Sequence, residues 1–153
     1  MKLTLLLFFT FVVATMGKNP KDMQYERMVE GIANFLEMTK DEARTCFIEK
    51  GITLEDMIKF DTRRRNNLQS PDLHDINLKI GCLFACLGQK KEMMTDAHLN
   101  VGKIKKMMDS KDGKPSPEDL AKLYQYVDLC ANQVKTITDE CKVAATFVLC
   151  MDS

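Results

Sequence analysis

The chain has 153 residues, with 22 basic and 22 acidic side chains and a formal net charge of zero. That balance, without a basic stripe, excludes a nucleic-acid-binding surface. The nearest basic cluster, Arg63-Arg64-Arg65, follows Asp61 and is interpreted as a solvated turn.

The N-terminal segment has the pattern of a secretory signal peptide. Met1-Lys2 is followed by a mostly apolar run at 3–14, and the small residue Gly17 precedes the next charge. The run is short for a membrane span, and no later stretch approaches that length. We expect cleavage after Gly17, so that 1–17 is the leader and 18–153 is one secreted domain. The alternative is a leader retained as an anchor.

The first predicted helices follow from periodicity and capping signals. Apolar residues within 25–36 recur at i, i+3, i+4 and i+7, which predicts one face of a helix. Thr39 and Glu42 match a capping box that opens a short helix carrying Cys46. Gly51 is suited to end that helix.

Two more helices are predicted in the middle of the chain. Thr53 caps a short helix, whose inward positions are expected to be Leu54, Met57, Ile58 and Phe60. After a loop at 66–70, Ser70-Pro71 resembles an N-cap followed by a first-turn proline. The helix that follows, 72–87, is the most apolar of the mature chain, so we expect it at the centre of the fold. The segment 88–91 should break it.

The second half of the chain is also predicted to be helical. A helix is expected from a polar start at 95–96 to about 108, before a polar loop at 110–115. Ser116-Pro117 starts another helix, and the last begins near Thr138. No segment shows sustained strand alternation. The prediction is an all-α fold, a compact bundle of six to seven helices.

Cysteines give the strongest signal, with the spacing C-x35-C-x3-C-x43-C-x10-C-x8-C. In an exported chain this predicts three disulfides, although six cysteines allow fifteen pairings. Cys82 and Cys86 share one face of a helix, so a bond between them would fix no tertiary contact. Links from that face to other elements would stabilise by roughly 3–4 kcal/mol each in the entropic model. A zinc site lacks further ligands at the usual spacings, and we expect no metal and no cofactor.

With its leader, its helical body, C-x3-C on a central helix and C-terminal C-x8-C, the chain resembles the insect odorant-binding proteins, which include the pheromone-binding proteins. The resemblance implies three interlocking disulfides around an apolar cavity. It also implies a non-enzymatic, secreted carrier of small hydrophobic molecules, such as odorants or pheromones, in sensillum lymph or another body fluid. The implied pairs are Cys46–Cys86, Cys82–Cys141 and Cys130–Cys150.

Two departures from that family's pattern affect the expectations. The first and third cysteine gaps are long, so the loops near Asn66 and Lys111 are expected to be extended. Only Met151-Asp152-Ser153 follow the last cysteine. The long tail that enters the pocket at low pH in some members is therefore expected to be absent. An odorant receptor and a second copy of the chain are further candidate partners.

The composition is compatible with such a cavity, because the chain has eleven methionines and no tryptophan. Methionine is flexible and suits an adaptable apolar wall, although it is also ordinary core. Tyr124 or Tyr126 is expected to offer a hydroxyl to the ligand. The expected lining residues are Met57, Phe60, Leu83, Leu87, Met93, Met94, Ile104, Met107, Tyr124, Val127, Phe147 and Val148.

Alternatives to this interpretation are few. His98 is expected at a helix start beside Met93-Met94, where its protonation suggests a pH-sensitive lid. The alternative is that His74 and His98 are both exposed and have no switching role. His74-Asp75 resembles the catalytic pair of secreted phospholipase A2, but the glycine-rich calcium loop is missing, so no enzyme is predicted. A secreted helical protein-binding module and a carrier of a non-odorant lipid or hormone are the competing functions.

Overall fold

The computed structural model describes residues 19–66, 72–109 and 116–152. The predicted leader at 1–17, most of the loop predicted at 66–70, the predicted helix start Ser70-Pro71 and the loop predicted at 110–115 lie outside these ranges. Within them the all-α prediction is confirmed by seven helices and one two-stranded antiparallel hairpin. The elements are α1 (Pro20–Phe35), α2 (Lys40–Glu49), α3 (Leu54–Asn66), α4 (Asp72–Lys90), β1 (Met94–Thr95), β2 (His98–Leu99), α5 (Val101–Asp109), α6 (Pro117–Val134) and α7 (Glu140–Met151).

Side chains cap the helix starts where the sequence predicts. Thr39 and Glu42 form the expected capping box, and the Ser116 hydroxyl accepts a hydrogen bond from the backbone N–H of Asp119. Thr53 accepts from the N–H of Asp56, whose carboxylate accepts in turn from the Thr53 N–H at 2.9 Å. These bonds satisfy donors that a helix start would leave without partners.

Three helices end through a residue in the left-handed backbone region. Gly51 (φ 60°) closes α2, as predicted, while Glu37 (φ 52°) and Glu92 (φ 56°) close α1 and α4. After each, a backbone N–H bonds back to a carbonyl five residues earlier, for example Ile52 to Phe47 at 2.9 Å. This is the Schellman arrangement.

The segment after α4 differs from the prediction. The helix does not break at Gly88 but continues to Lys90, because the left-handed turn comes only at Glu92. The predicted helix start at 95–96 is instead a hairpin whose turn holds Asp96 at φ 50°, and α5 begins at Val101. His98 therefore lies in β2 and not at the start of a helix.

Two smaller predictions on α3 are also wrong. The backbone of 63–65 belongs to α3, so this segment is not a turn. Ile58 does not point inward, since it is 49% exposed.

The last helix begins at Glu140, capped by Asp139, two residues later than expected.

The central helix is α4, which packs against α2, α3, β1 and α7. Its contact with α7 is very close. A Cβ added at Gly81 would lie 2.2 Å from the carbonyl oxygen of Cys141 and 2.7 Å from the Cβ of Ala145. Only glycine fits there, because real Cβ atoms do not approach backbone so closely.

Disulfides connect four helices in series. Cys46–Cys86 joins α2 to α4, Cys82–Cys141 joins α4 to α7, and Cys130–Cys150 joins α6 to α7. The pairs are those that the family resemblance implies. The neighbouring cysteines of α4 thus bond to different elements, which ties the central helix on two sides.

The buried side chains form two clusters. The N-terminal cluster comes from α1–α4 and includes Phe47, Ile80 and Leu83; the C-terminal cluster comes from α4–α7 and includes Val127 and Val143. None of the described helices combines the length and apolar character needed to cross a membrane. The two clusters meet around the middle and end of α4.

Candidate ligand-binding cavity

A cavity of about 440 Å³, here called the main cavity, lies where the two clusters meet. This volume is in the usual range for small-molecule sites. Its walls come from α1, α4, the hairpin segment, α5 and α7. The lining residues are Gly31, Ile32, Phe35, Leu36, Phe84, Leu87, Gly88, Met93, Met94, Leu99, Ile104, Met107, Met108, Ala144, Phe147, Val148 and Met151.

The lining is apolar throughout. It contains five methionines and three phenylalanines, and none of its side chains carries oxygen or nitrogen. Thioether side chains are flexible and polarisable, so a wall rich in them can adjust to guests of different shape. The site can therefore hold an apolar molecule, and nothing in its lining could perform acid–base or nucleophilic chemistry.

The last turn of α1 forms one wall and part of the opening. Phe35 lines the cavity while remaining 59% exposed. A Cβ added at Gly31 would meet nothing within 4 Å. Lys91 Nζ donates to the carbonyl oxygen of Glu37 at 2.9 Å, which ties the end of α1 to the end of α4. The wall is thereby fixed from its polar, outer side.

The hairpin segment forms a second wall because its turn reverses the chain over α4. Met94 pairs with Leu99 across the hairpin. Met93 donates its N–H to the carbonyl of Gly88 at 2.9 Å, and its own carbonyl accepts from the N–H of Asn100 at 2.8 Å. These bonds keep the side chains of Met93, Met94 and Leu99 directed toward the cavity.

The third wall, α5, is strongly amphipathic. Ile104, Met107 and Met108 line the cavity, and polar side chains on the rest of the helix attach it to its neighbours. Lys105 Nζ lies 2.7 Å from a carboxylate oxygen of Asp128 on α6. Lys103 forms a short ion pair with Glu92.

One of these attachments involves a tyrosine that the sequence assigns to the ligand. The Tyr124 hydroxyl on α6 donates a short hydrogen bond to the carboxylate of Asp109 at the end of α5. This bond raises the pKa of Tyr124 above its ordinary value. The Lys105 ammonium lies 5.3 Å from the centre of the same ring. The hydroxyl therefore fastens α5 to α6.

A second cavity of about 350 Å³ lies beside the first. It shares Ile32, Phe84, Val148 and Met151 with the main cavity, so these four side chains form the partition between the two. Its other lining residues are Met57, Phe60, Asp61, Leu149 and Asp152. The two carboxylates make it the more polar of the two cavities.

An ion pair fixes α3, which forms the outer wall of the second cavity. Lys79 Nζ on α4 donates to Asp56 at 2.7 Å. Burial raises the pKa of Asp56, but hydrogen bonds from Lys79 and from Thr53 outweigh it, so the pKa lies below its ordinary value. The ionised carboxylate thus stabilises the docked position of α3.

Comparison with known proteins agrees with this architecture. The model of the PBP/GOBP family matches residues 28–153, which is most of the chain. The chain belongs to the PBP/GOBP family. It is 28% identical over 107 residues to the pheromone-binding protein Gp-9 of Solenopsis globularia littoralis, an alignment that covers 70% of this chain and 67% of that protein. No solved protein structure matches the chain significantly.

In this PBP/GOBP protein, most of the predicted lining residues lie at one of the two cavities. Met57 and Phe60 line the second cavity. Seven line the main cavity, and for all nine contact with a ligand stays a prediction. The seven are Leu87, Met93, Met94, Ile104, Met107, Phe147 and Val148.

Three predicted lining residues are placed elsewhere. Leu83 and Val127 are fully buried inside the two core clusters and line neither cavity. Tyr124 faces Asp109, as described above, and Tyr126 packs against the C-terminal cluster. Helical periodicity identifies the inward face of a helix but does not distinguish a filled interior from a cavity wall.

Sequence reasoning missed the contribution of α1. Ile32 and Leu36 belong to the apolar face that was recognised, but no signal placed that face beside the methionines of α5. Phe35 lies off the face and is exposed, and exposed aromatic residues at a rim leave no periodic signal. Met108 and Met151 could have been found from the same enrichment in methionine that suggested Met107.

The residues considered for other chemistry are not assembled into a site. Across 19–66, 72–109 and 116–152, no three His, Cys, Asp or Glu side chains are grouped so as to hold a metal ion. His98 is exposed on β2, and the side chain of His74 lies outside the described residues. A pH-dependent lid at His98 stays a prediction.

Proposed function

We propose that this protein is a secreted carrier that binds small hydrophobic molecules in the main cavity and transports them through an aqueous fluid. The observation that carries the proposal is a 440 Å³ cavity with no polar side chain in its lining. The PBP/GOBP membership supports it, as does the similarity to the ant pheromone-binding protein Gp-9. A closed protein-binding bundle would have no use for such a cavity.

The driving force would be removal of apolar surface from water. A guest that buries on the order of 300 Å² gains about 7 kcal/mol at roughly 25 cal/mol per Å². The costs of association offset part of this gain, so we expect dissociation constants no tighter than about micromolar. The disulfides support this role, since they stabilise the bundle without requiring a fully filled interior.

Titration with a fluorescent apolar probe, N-phenyl-1-naphthylamine, tests the proposal. We expect saturable micromolar binding that small apolar molecules displace. Gly31→Leu should weaken probe binding by about tenfold or more, because the new side chain enters open space at the cavity wall. Asn34→Leu is the matched control, since it adds the same side chain at an exposed site of α1 that lines neither cavity.

Two results would refute the carrier proposal. One is no saturable probe binding by the folded, disulfide-bonded protein. The other is equal loss of binding in both leucine variants, which would place the probe on the surface. Secretion is tested separately: the N-terminus of the secreted product is expected to be Lys18. The tissue in which the protein accumulates distinguishes a carrier of odorants from a carrier of another lipid.

A further inference from the structure

The side chains that line the main cavity offer no oxygen or nitrogen as a hydrogen-bond partner to a guest. Its lining side chains are hydrocarbon or thioether, apart from two glycines. The backbone of the hairpin wall is already bonded, since Met93 donates to Gly88 and accepts from Asn100. A hydroxyl or carboxyl group held deep in this cavity, away from the opening beside Phe35, would therefore lose its bonds to water without a side-chain partner to replace them.

The adjoining second cavity has a different lining. Asp61 and Asp152 belong to the second cavity, beyond a partition that contains Phe84 and Met151. A guest confined to the main cavity has no access to those carboxylates. The lining therefore separates a purely apolar compartment from an acidic one.

The volume bounds the size of a guest. A cavity of roughly 150 Å³ holds a benzene molecule, and the main cavity is about 440 Å³. By that scale it holds on the order of 15 carbon atoms.

We propose that the main cavity selects hydrocarbons, meaning aliphatic or terpenoid molecules without a hydrogen-bonding group, over alcohols and acids of the same size. The proposal rests on the carrier function proposed above and names the class of guest. Its physical basis is that the interior solvates a guest as an alkane would. A guest with a hydroxyl group then loses affinity by roughly 5- to 150-fold relative to a site that supplies a partner.

The test compares dodecane with undecan-1-ol, which have equal numbers of non-hydrogen atoms. Each displaces N-phenyl-1-naphthylamine, and each association constant is divided by the guest's hexadecane–water partition coefficient. We expect the two quotients to agree within about threefold, with dodecane displacing the probe at concentrations lower by about 100-fold or more. A quotient for the alcohol larger by about tenfold or more would show that the bound hydroxyl has a partner, and would overturn the proposal.

A variant that supplies a partner sharpens the result. Met93→Gln places an amide in a half-buried position of the lining with nearly the same shape. It should raise the quotient for the alcohol about fivefold or more and leave that for dodecane unchanged or lower. Met93→Leu adds no polar atom and should leave the ratio of the two quotients unchanged. Met108→Gln repeats the test on α5 if the first variant does not fold.

The outcomes distinguish the two proposals. If neither guest displaces the probe, the carrier function fails and the selectivity fails with it. If both bind and the alcohol has the larger quotient, the carrier function stands and only the selectivity is wrong.

Discussion

The contact between α4 and α7 and the wall formed by α5 are stabilised in opposite ways. At the contact, backbone meets backbone at Gly81, and Cys82 is bonded to Cys141 with the two Cα atoms 4.2 Å apart. At α5 the inner side chains line the main cavity, and ion pairs and hydrogen bonds on the outside hold the helix. The rigid part of the bundle is thus the contact of α4 with α7, and the adaptable part is the wall formed by α5. A cavity can persist beside α5 because α4 and α7 do not depend on filling it.

Substitution of Gly81 should have the largest effect, because it removes the close contact itself. Gly81→Ala puts a Cβ 2.2 Å from the carbonyl oxygen of Cys141, and no flexible side chain can move away to make room. We expect the free energy of unfolding to fall by about 3 kcal/mol, measured by denaturant titration with the disulfides intact. Helix propensity alone would predict the opposite change in stability, because it favours alanine over glycine.

The same substitution at Gly31 is the matched control. A Cβ there meets nothing within 4 Å, so Gly31→Ala should stabilise α1 by about 0.5–1 kcal/mol. Equal responses of the two variants would mean that the contact of α4 with α7 is looser than described.

Acid should destabilise the position of α3 more than the contact between α4 and α7, because the ionised carboxylate of Asp56 holds α3 in place. The pKa of Asp56 is lower in the folded chain than in the unfolded chain. Its contribution is therefore complete above the unfolded value, near 4, and is lost as the pH falls through the folded value. Asp56→Asn should cost about 1–2 kcal/mol at neutral pH and flatten the acid limb of the stability curve. The measurement is stability against pH for both proteins.

Asp75→Asn provides the comparison for Asp56, since Asp75 is an exposed carboxylate near the start of α4. It should leave the acid limb unchanged. If Asp56→Asn keeps the full slope below pH 4, other carboxylates carry the acid sensitivity, Glu26 among them. The pKa of Glu26 is lowered by hydrogen bonds from Arg44 and Lys40.

Loosening α5 should affect exchange of the ligand more than stability. Tyr124→Phe removes the hydrogen bond to Asp109 and keeps the ring beneath Lys105. We expect a small loss of unfolding free energy and faster probe dissociation in stopped-flow experiments. Tyr126→Phe removes a hydroxyl on the same helix outside both cavities and is expected to leave the dissociation rate unchanged.

The sequence specified the bundle better than it specified the cavity. Cysteine spacing, the Thr39 capping box and the Ser116-Pro117 start are local signals with a direct physical meaning, and the helices they predict are present. The hairpin at 94–99 was missed because strands of two residues have no periodicity, and because Glu92 and Asp96 adopt left-handed backbone conformations that neither residue type announces.

The cavity depends on distances between helices, which a pattern within one helix does not contain. Leu83 and Met107 both occupy inward positions, yet the first is fully buried in the core and the second lines the main cavity. The difference lies in what stands opposite each residue. Leu83 is surrounded by the buried residues of the N-terminal cluster, whereas Met107 shares the lining of the main cavity with Ile32 and Phe35 of α1.

The smallest predicted effect concerns the partition between the two cavities. Met151 is half-buried in the last turn of α7 and lines both spaces. Met151→Ala should join them, so that a guest too long for the main cavity extends toward α3. We expect the affinity for hexadecane to rise about threefold relative to that for dodecane, a change of less than 1 kcal/mol. Competition for the fluorescent probe measures both affinities. Met108→Ala enlarges only the main cavity and should not favour the longer chain in this way. If the two variants shift the length preference equally, Phe84 and Val148 separate the cavities without Met151, and the adaptable region is confined to the wall of α5.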